Sequence, residues 1–175
     1  MKSLGIDLSM TGTGIALLED GKLVYSETIK SKKEGDTPDA EVRRLMGIVV
    51  KVMEHVDVIE NLDVVVLEGI AFMAKSTALA QLSGLTYMVR KEMVDRDIQF
   101  FVVAPTTLKK FITGKGNSAK DIMMLETYKL YGESILDNNQ CDAFGLAHVG
   151  EAVLTEKYKG ETYQKEVVKL IKKQI

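Results

Sequence analysis

With 175 residues, 46% of them hydrophobic and 27% charged, the chain has a globular composition, and one domain over residues 1–175 is expected. A formal net charge of −2 excludes a generally basic nucleic-acid binder, although it leaves room for a local basic face. No apolar run reaches membrane-spanning length and Asp7 interrupts the first residues too early for a secretory leader, so no membrane role and a cytoplasmic location are expected.

Residues 2–9 read as a first strand that runs into a lone carboxylate, Asp7, and a turn rich in Ser, Thr and Gly. Ser9, Thr11, Gly12 and Gly14 suit a tight reversal in which φ > 0 is wanted. A second strand follows over 14–19. Asp20-Gly21 is a two-residue hairpin signal leading to a third strand over 22–29. Polar residues 30–39, with Gly35 and Pro38, form a loop. A helix is expected over 40–58, where Val42, Leu45, Met46, Val49, Val50, Met53 and Val56 recur at helical spacing. Residues 63–67 are a nearly continuous apolar run, as in a central parallel strand, and they stop at Glu68-Gly69. A second helix over 76–95 carries Leu79, Leu82, Leu85, Met88, Val89 and Met93. A fifth strand spans 99–103, and Pro105 opens a short helix reaching Ile112. Ser118, with Asp121 three residues later, resembles a capping box for a helix to Tyr131. A helix over 139–157 and a charged helical tail over 161–173 complete the chain.

Three antiparallel strands followed by α-β-α-β-α predict an α/β fold, a mixed five-stranded sheet covered by helices. With the fourth strand parallel to the first, a right-handed crossover closes the unit. The carboxyl ends of those strands, Asp7 and Glu68, then share the sheet edge where open α/β sheets place their sites.

An Asp at the end of an apolar strand is costly without a partner. It could simply bond its own turn, just as Glu68 could be a strand-end charge and Asp142 a partner for a helix dipole. Converging, the three would repel one another unless a cation intervened, and hard oxygen donors suit Mg²⁺ or Mn²⁺. Asn139 lies three residues before Asp142 on the same helical face. Two ions about 4 Å apart could activate a water and stabilise the leaving oxygen of a phosphodiester. Residues 98–120 contain no Asp or Glu, yet hold Lys109, Lys110, Lys115 and Lys120 beside Gly114, Gly116 and a helix start. That combination points to phosphate contact rather than to a solvated lysine face. Cys141, the only cysteine, excludes an intrachain disulfide and reads as a small core residue; His148 has no assigned role, and His55 reads as helix surface.

Several of these stretches, in order along nearly the whole chain, resemble RuvC-type Holliday junction resolvases of the ribonuclease-H-like superfamily. They are Gly5-Ile6-Asp7, Leu67-Glu68-Gly69 with Phe72-Met73-Ala74-Lys75, Ala104-Pro105 through Lys109-Lys110, Thr113-Gly114-Lys115-Gly116, Ser118-Ala119-Lys120 and Cys141-Asp142-Ala143. The resemblance implies a ribonuclease-H-like fold and a divalent-metal-dependent endonuclease that resolves four-way or branched DNA junctions. It implies catalytic metal-binding carboxylates at Asp7, Glu68 and Asp142, and one or two Mg²⁺ or Mn²⁺ ions. Lys120 joins the catalytic set, with Lys75, Lys109, Lys110, Lys115 and Lys120 on DNA and Phe72 near the junction centre. A homodimer is expected, because symmetric cutting needs two sites; Ala78, Ala80, Ser83 and Gly84 would permit close helix approach.

The sequence departs from the family where a second acidic or His ligand is expected, and Asn139 stands there. Asn139 could ligate through its carbonyl, Asp137 could substitute, or the chain could be an inactive variant. Glu68 and Phe72 are also one residue further apart than in bacterial members, which points to a divergent, phage-encoded branch in an infected bacterial cell. Competing readings are a non-catalytic junction-binding protein and a fragment of an actin-like or sugar-kinase ATPase.

Overall fold

The computed structural model describes residues 1–70, 77–159 and 162–174. Its five-stranded sheet has the order β3-β2-β1-β4-β5, built from β1 (Lys2–Asp7), β2 (Gly12–Glu19), β3 (Lys22–Lys30), β4 (Val64–Glu68) and β5 (Phe100–Val103). β1, β2 and β3 are antiparallel neighbours, and β4 and β5 run parallel to β1. Asp20 and Gly21 take φ of 50° and 76°, the left-handed pair that a two-residue hairpin needs.

The helices are α1 (Pro38–Asp57), α2 (Thr77–Asp95), α3 (Pro105–Thr113), α4 (Lys120–Tyr131), α5 (Asn138–Thr155) and α6 (Thr162–Ile171). Strand alternation sorts the core into two layers. Leu4, Ile6, Ile15, Leu17, Val65 and Leu67 face α1 and α2. Val64, Val66, Phe101 and Val103 face the layer of α3, α5 and α6.

α1 starts two residues before its expected position because Thr37 caps it, its side chain accepting from the Ala40 N–H, with Pro38 in the first turn. Its buried face is Leu45, Ile48, Val49, Val52, Met53 and Val56. The expected stripe was too wide: Val42, Met46 and Val50 are 51%, 52% and 56% exposed. They form an i, i+4, i+8 row that the sheet does not reach. His55 is on the helix surface, with Nε2 2.8 Å from Glu27.

The capping box expected at Ser118 is absent. The Ser118 hydroxyl lies 2.6 Å from the Thr113 hydroxyl and donates to the Lys115 carbonyl at 3.1 Å. α4 therefore starts behind Ala119 with no side-chain cap.

Candidate active site

Gly12 and Gly14 do not serve φ > 0, as the sequence reading expected; neither is among the positive-φ glycines. The turn is closed by hydroxyls instead, with Thr13 donating to the Ser9 carbonyl at 3.1 Å and the Ser9 N–H donating to the Thr13 hydroxyl at 3.2 Å. The glycines admit α5. A Cβ on Gly14 would lie 2.0 Å from the Asn139 carbonyl oxygen, and one on Gly5 would lie 1.9 Å from that of Ala143. A Cβ on Gly150 would lie 2.4 Å from the Ser3 hydroxyl oxygen and 2.7 Å from Val66. Helix and sheet thus meet backbone to backbone, and α5 runs from β2 across β1 towards β4. Ser3 fastens the contact by donating to the Ala147 carbonyl at 2.8 Å.

This packing brings the start of α5 to the carboxyl end of β1, since Gly14 is the register partner of Asp7. Asp7 alternates with Ile6, and Glu68 with Leu67, so both carboxylates emerge on the face covered by α5. Asp142 arrives one helical turn after Asn139. Asp7 is 8% exposed, and burial is the main cause pushing its carboxyl up; the charge of Asp142 adds, while Glu68 hydrogen-bonded to it and the Lys120 charge oppose. Burial also pushes Glu68 up, followed by the Asp7 charge, and Glu68 keeps a proton to donate to Asp7. Burial raises Asp142 too, against the lowering charges of Lys120 and Lys109. The three acids thus share one electrostatic environment, with two lysines beside it. As their side chains stand, no three His, Cys, Asp or Glu among the described residues enclose an ion-sized site. Asp7, Glu68 and Asp142 are the oxygen donors within this environment that could turn towards a hard cation.

Asn139 packs over β2: its Nδ2 lies 3.0 Å from where a Cβ on Gly12 would sit. Asp137 has a local role as the cap of α5, accepting from the Gln140 N–H at 3.0 Å and the Thr28 hydroxyl at 2.9 Å. Those bonds, the Gln140 N–H first, hold its carboxyl below the usual range. The sequence reading missed this role, although an Asp just before the helix was its signal.

Lys109 and Lys120 come from α3 and α4. Lys110, the next residue on α3, turns away and pairs with Glu166 on α6 at 2.7 Å, while Lys115 is exposed in the α3–α4 connection. Phe72 and Lys75 lie outside the described residues. Cys141 is buried, its Sγ donating to the Thr127 hydroxyl at 3.5 Å. His148 is buried too, stacked on Tyr131 with ring centroids 3.7 Å apart and Nδ1 3.4 Å from Glu151. It lies about 13 Å along the helix from Asn139. No described helix is long and apolar enough to cross a membrane.

A sequence profile described as crossover junction endodeoxyribonuclease RuvC matches residues 3–149. No curated protein matches. Thermus thermophilus RuvC in complex with Holliday junction substrate is similar in structure, with a TM-score of 0.65 and 18% identity over 90% of this chain and 98% of that one. Fowlpox virus resolvase, in complex with substrate Holliday junction DNA, aligns with a TM-score of 0.56 and 15% identity over 89% and 99% of the two chains. The yeast mitochondrial Holliday junction resolvase Ydc2 aligns at 0.53 with 16% identity, over 99% of this chain and 84% of that one. At these identities the structural likenesses establish the shared fold. The profile match over most of the chain places it in a family: this protein belongs to the RuvC family of crossover junction endodeoxyribonucleases.

Proposed function

We propose that this chain, as a homodimer, cuts four-way and related branched DNA junctions at paired phosphodiester bonds, using Asp7, Glu68 and Asp142 as its catalytic carboxylates. The carrying observation is that three acids raised by burial share one sheet edge with Lys109 and Lys120. Their unrelieved negative charge fits a hard cation. RuvC-like resolvases use divalent metals; here Asp7, Glu68 and Asp142 would hold Mg²⁺ or Mn²⁺, with Asn139 as a neutral fourth ligand. A bound ion supplies the positive charge that activates a water and stabilises the leaving oxygen.

The chain's own groups orient the substrate. Lys120, in the first turn of α4, and Lys109 on α3 offset phosphate charge beside the acids. The uncapped start of α4 directs backbone N–H groups to the same region. Lys115 is exposed for a further phosphate contact, and Lys110 would have to leave Glu166 to make one. The relatives crystallised with Holliday junction DNA support a junction as substrate. The exposed Val42, Met46 and Val50 row supports pairing of two copies; Gly84, from the expected small-residue motif, already packs near Leu45 of its own chain.

The deciding experiment is nicking of a synthetic mobile junction with Mg²⁺ or Mn²⁺. Asp7→Asn and Glu68→Gln should lose nicking while junction binding survives, and full activity in either overturns the site. Junction binding without nicking by the unmodified chain would make it a non-catalytic junction-binding protein, a reading favoured by the uncharged Asn139.

A further inference from the structure

Because β1, β3, β4 and β5 all run in one direction, their carboxyl ends share one edge of the sheet. Read along that edge, Lys30 ends β3, Asp7 ends β1, Glu68 ends β4, and α3 begins after β5. The lysines on α3 and α4 thus occupy one flank of the acids. The other flank opens into a groove of about 450 Å³ between the end of β3 and α1, lined by Lys30, Lys32, Arg43, Arg44 and Lys51 around Gly47. Glu34 is its one carboxylate. Such an excess of positive charge is concentrated on a protein whose formal net charge is −2.

The cations are not equivalent. Arg43 is paired with Asp39 at 2.8 Å. Arg44 donates to the Met10 carbonyl, and its Nε donates to the Ser31 hydroxyl at 3.1 Å. It thereby ties the groove to the turn that follows Asp7. Lys30, Lys32 and Lys51 are exposed and have no ion pair among the described residues. Gly47 sits in the middle of α1, where glycine lowers helix stability, and a Cβ there would meet nothing within 4 Å. The fold does not require a glycine at that position, whereas an incoming backbone gains room from it. β3 lies two strand spacings from β1, about 10 Å, or roughly three nucleotide rises along one DNA strand.

We infer that this groove binds the phosphate backbone of a DNA arm leaving the carboxylates on the side opposite Lys109 and Lys120. The strand then crosses the sheet edge with cations on both flanks, Lys30, Lys32 and Lys51 supplying the second set. This rests on the junction-nuclease reading above and adds where the substrate runs.

The test is binding of a fluorescently labelled four-way junction to the full chain in EDTA, over a salt series. The double variant Lys32→Ala/Lys51→Ala should make the slope of log affinity against log salt shallower by roughly two, at about 0.9 per phosphate contact. The variant Lys22→Ala/Lys157→Ala removes the same charge near the β2–β3 hairpin, at the opposite end of the sheet, and should leave the slope unchanged. Because Cys141 is buried, Gly47→Cys can be labelled selectively with a maleimide photo-crosslinker, which should then capture a junction arm. An unchanged slope in the first variant, equal loss in both, or no crosslink would overturn the groove assignment while leaving a junction-binding enzyme intact. Failure of the unmodified chain to bind junctions would instead refute the underlying function, and the groove assignment with it.

Discussion

Asp7 carries a stability cost that its removal should reveal. Its carboxyl rises from 3.8 to about 6, chiefly because only 8% of the residue is exposed. Roughly two units at 1.36 kcal/mol each bound the penalty at about 3 kcal/mol. The proton held by Glu68 already relieves part of this, so Asp7→Asn should stabilise the metal-free protein by about 1–3 kcal/mol at neutral pH. The sign follows from linkage. A carboxylate raised on folding binds more protons in the native state, so stability falls as pH rises from the unfolded value through the folded one. The advantage of Asp7→Asn should therefore be small near pH 4 and complete above about pH 7. At about 2–4 °C per kcal/mol for a chain of this size, thermal unfolding in EDTA should report a rise of several degrees at pH 8. Added Mg²⁺ or Mn²⁺ should raise the Tm of the unmodified protein and leave the variant nearly unmoved. A variant less stable than the unmodified protein at pH 8 in EDTA would refute the argument that Asp7 is held against its own charge.

Lys109→Ala and Lys120→Ala should each flatten the salt dependence of junction binding by about one, and an unchanged slope in both would make them a solvated face. Asn139→Asp should lower the Mg²⁺ concentration for half-maximal nicking and reduce metal-free stability; no change in either would remove Asn139 from the metal site. Asp137→Ala should cost about 1 kcal/mol in thermal unfolding through loss of the α5 cap while leaving the metal requirement unchanged. A raised metal requirement in that variant would identify Asp137 as a ligand. Gly14→Ala should unfold the protein or displace α5, since its Cβ would lie 2.0 Å from the Asn139 carbonyl oxygen; an unperturbed Tm and activity would contradict the close packing.

The sequence by itself determined the elements and their order, because hydrophobic period and turn chemistry are local. Asp20-Gly21 specified its hairpin, Pro105 its helix start, and the apolar run before Glu68 a strand covered on both faces. Alternation within β1 and β4 also bound Asp7 and Glu68 to one edge once those strands were read as parallel neighbours. Local pattern could not say which apolar residues of α1 face the sheet, since the helix carries more of them than one face can bury. Only docking left Val42, Met46 and Val50 outside. Nor could it separate a glycine needed for φ > 0 from one needed for contact; Gly5, Gly14 and Gly150 are explained by a helix more than 100 residues away in the chain or, for Gly150, by the sheet beneath it. The same long-range packing brought Asp142 towards Asp7, turned Lys110 to Glu166 rather than to the acids, and opened the cationic groove beside β3. Each of these depends on the depth and angle at which two distant segments pack, quantities that exist only when both are folded together.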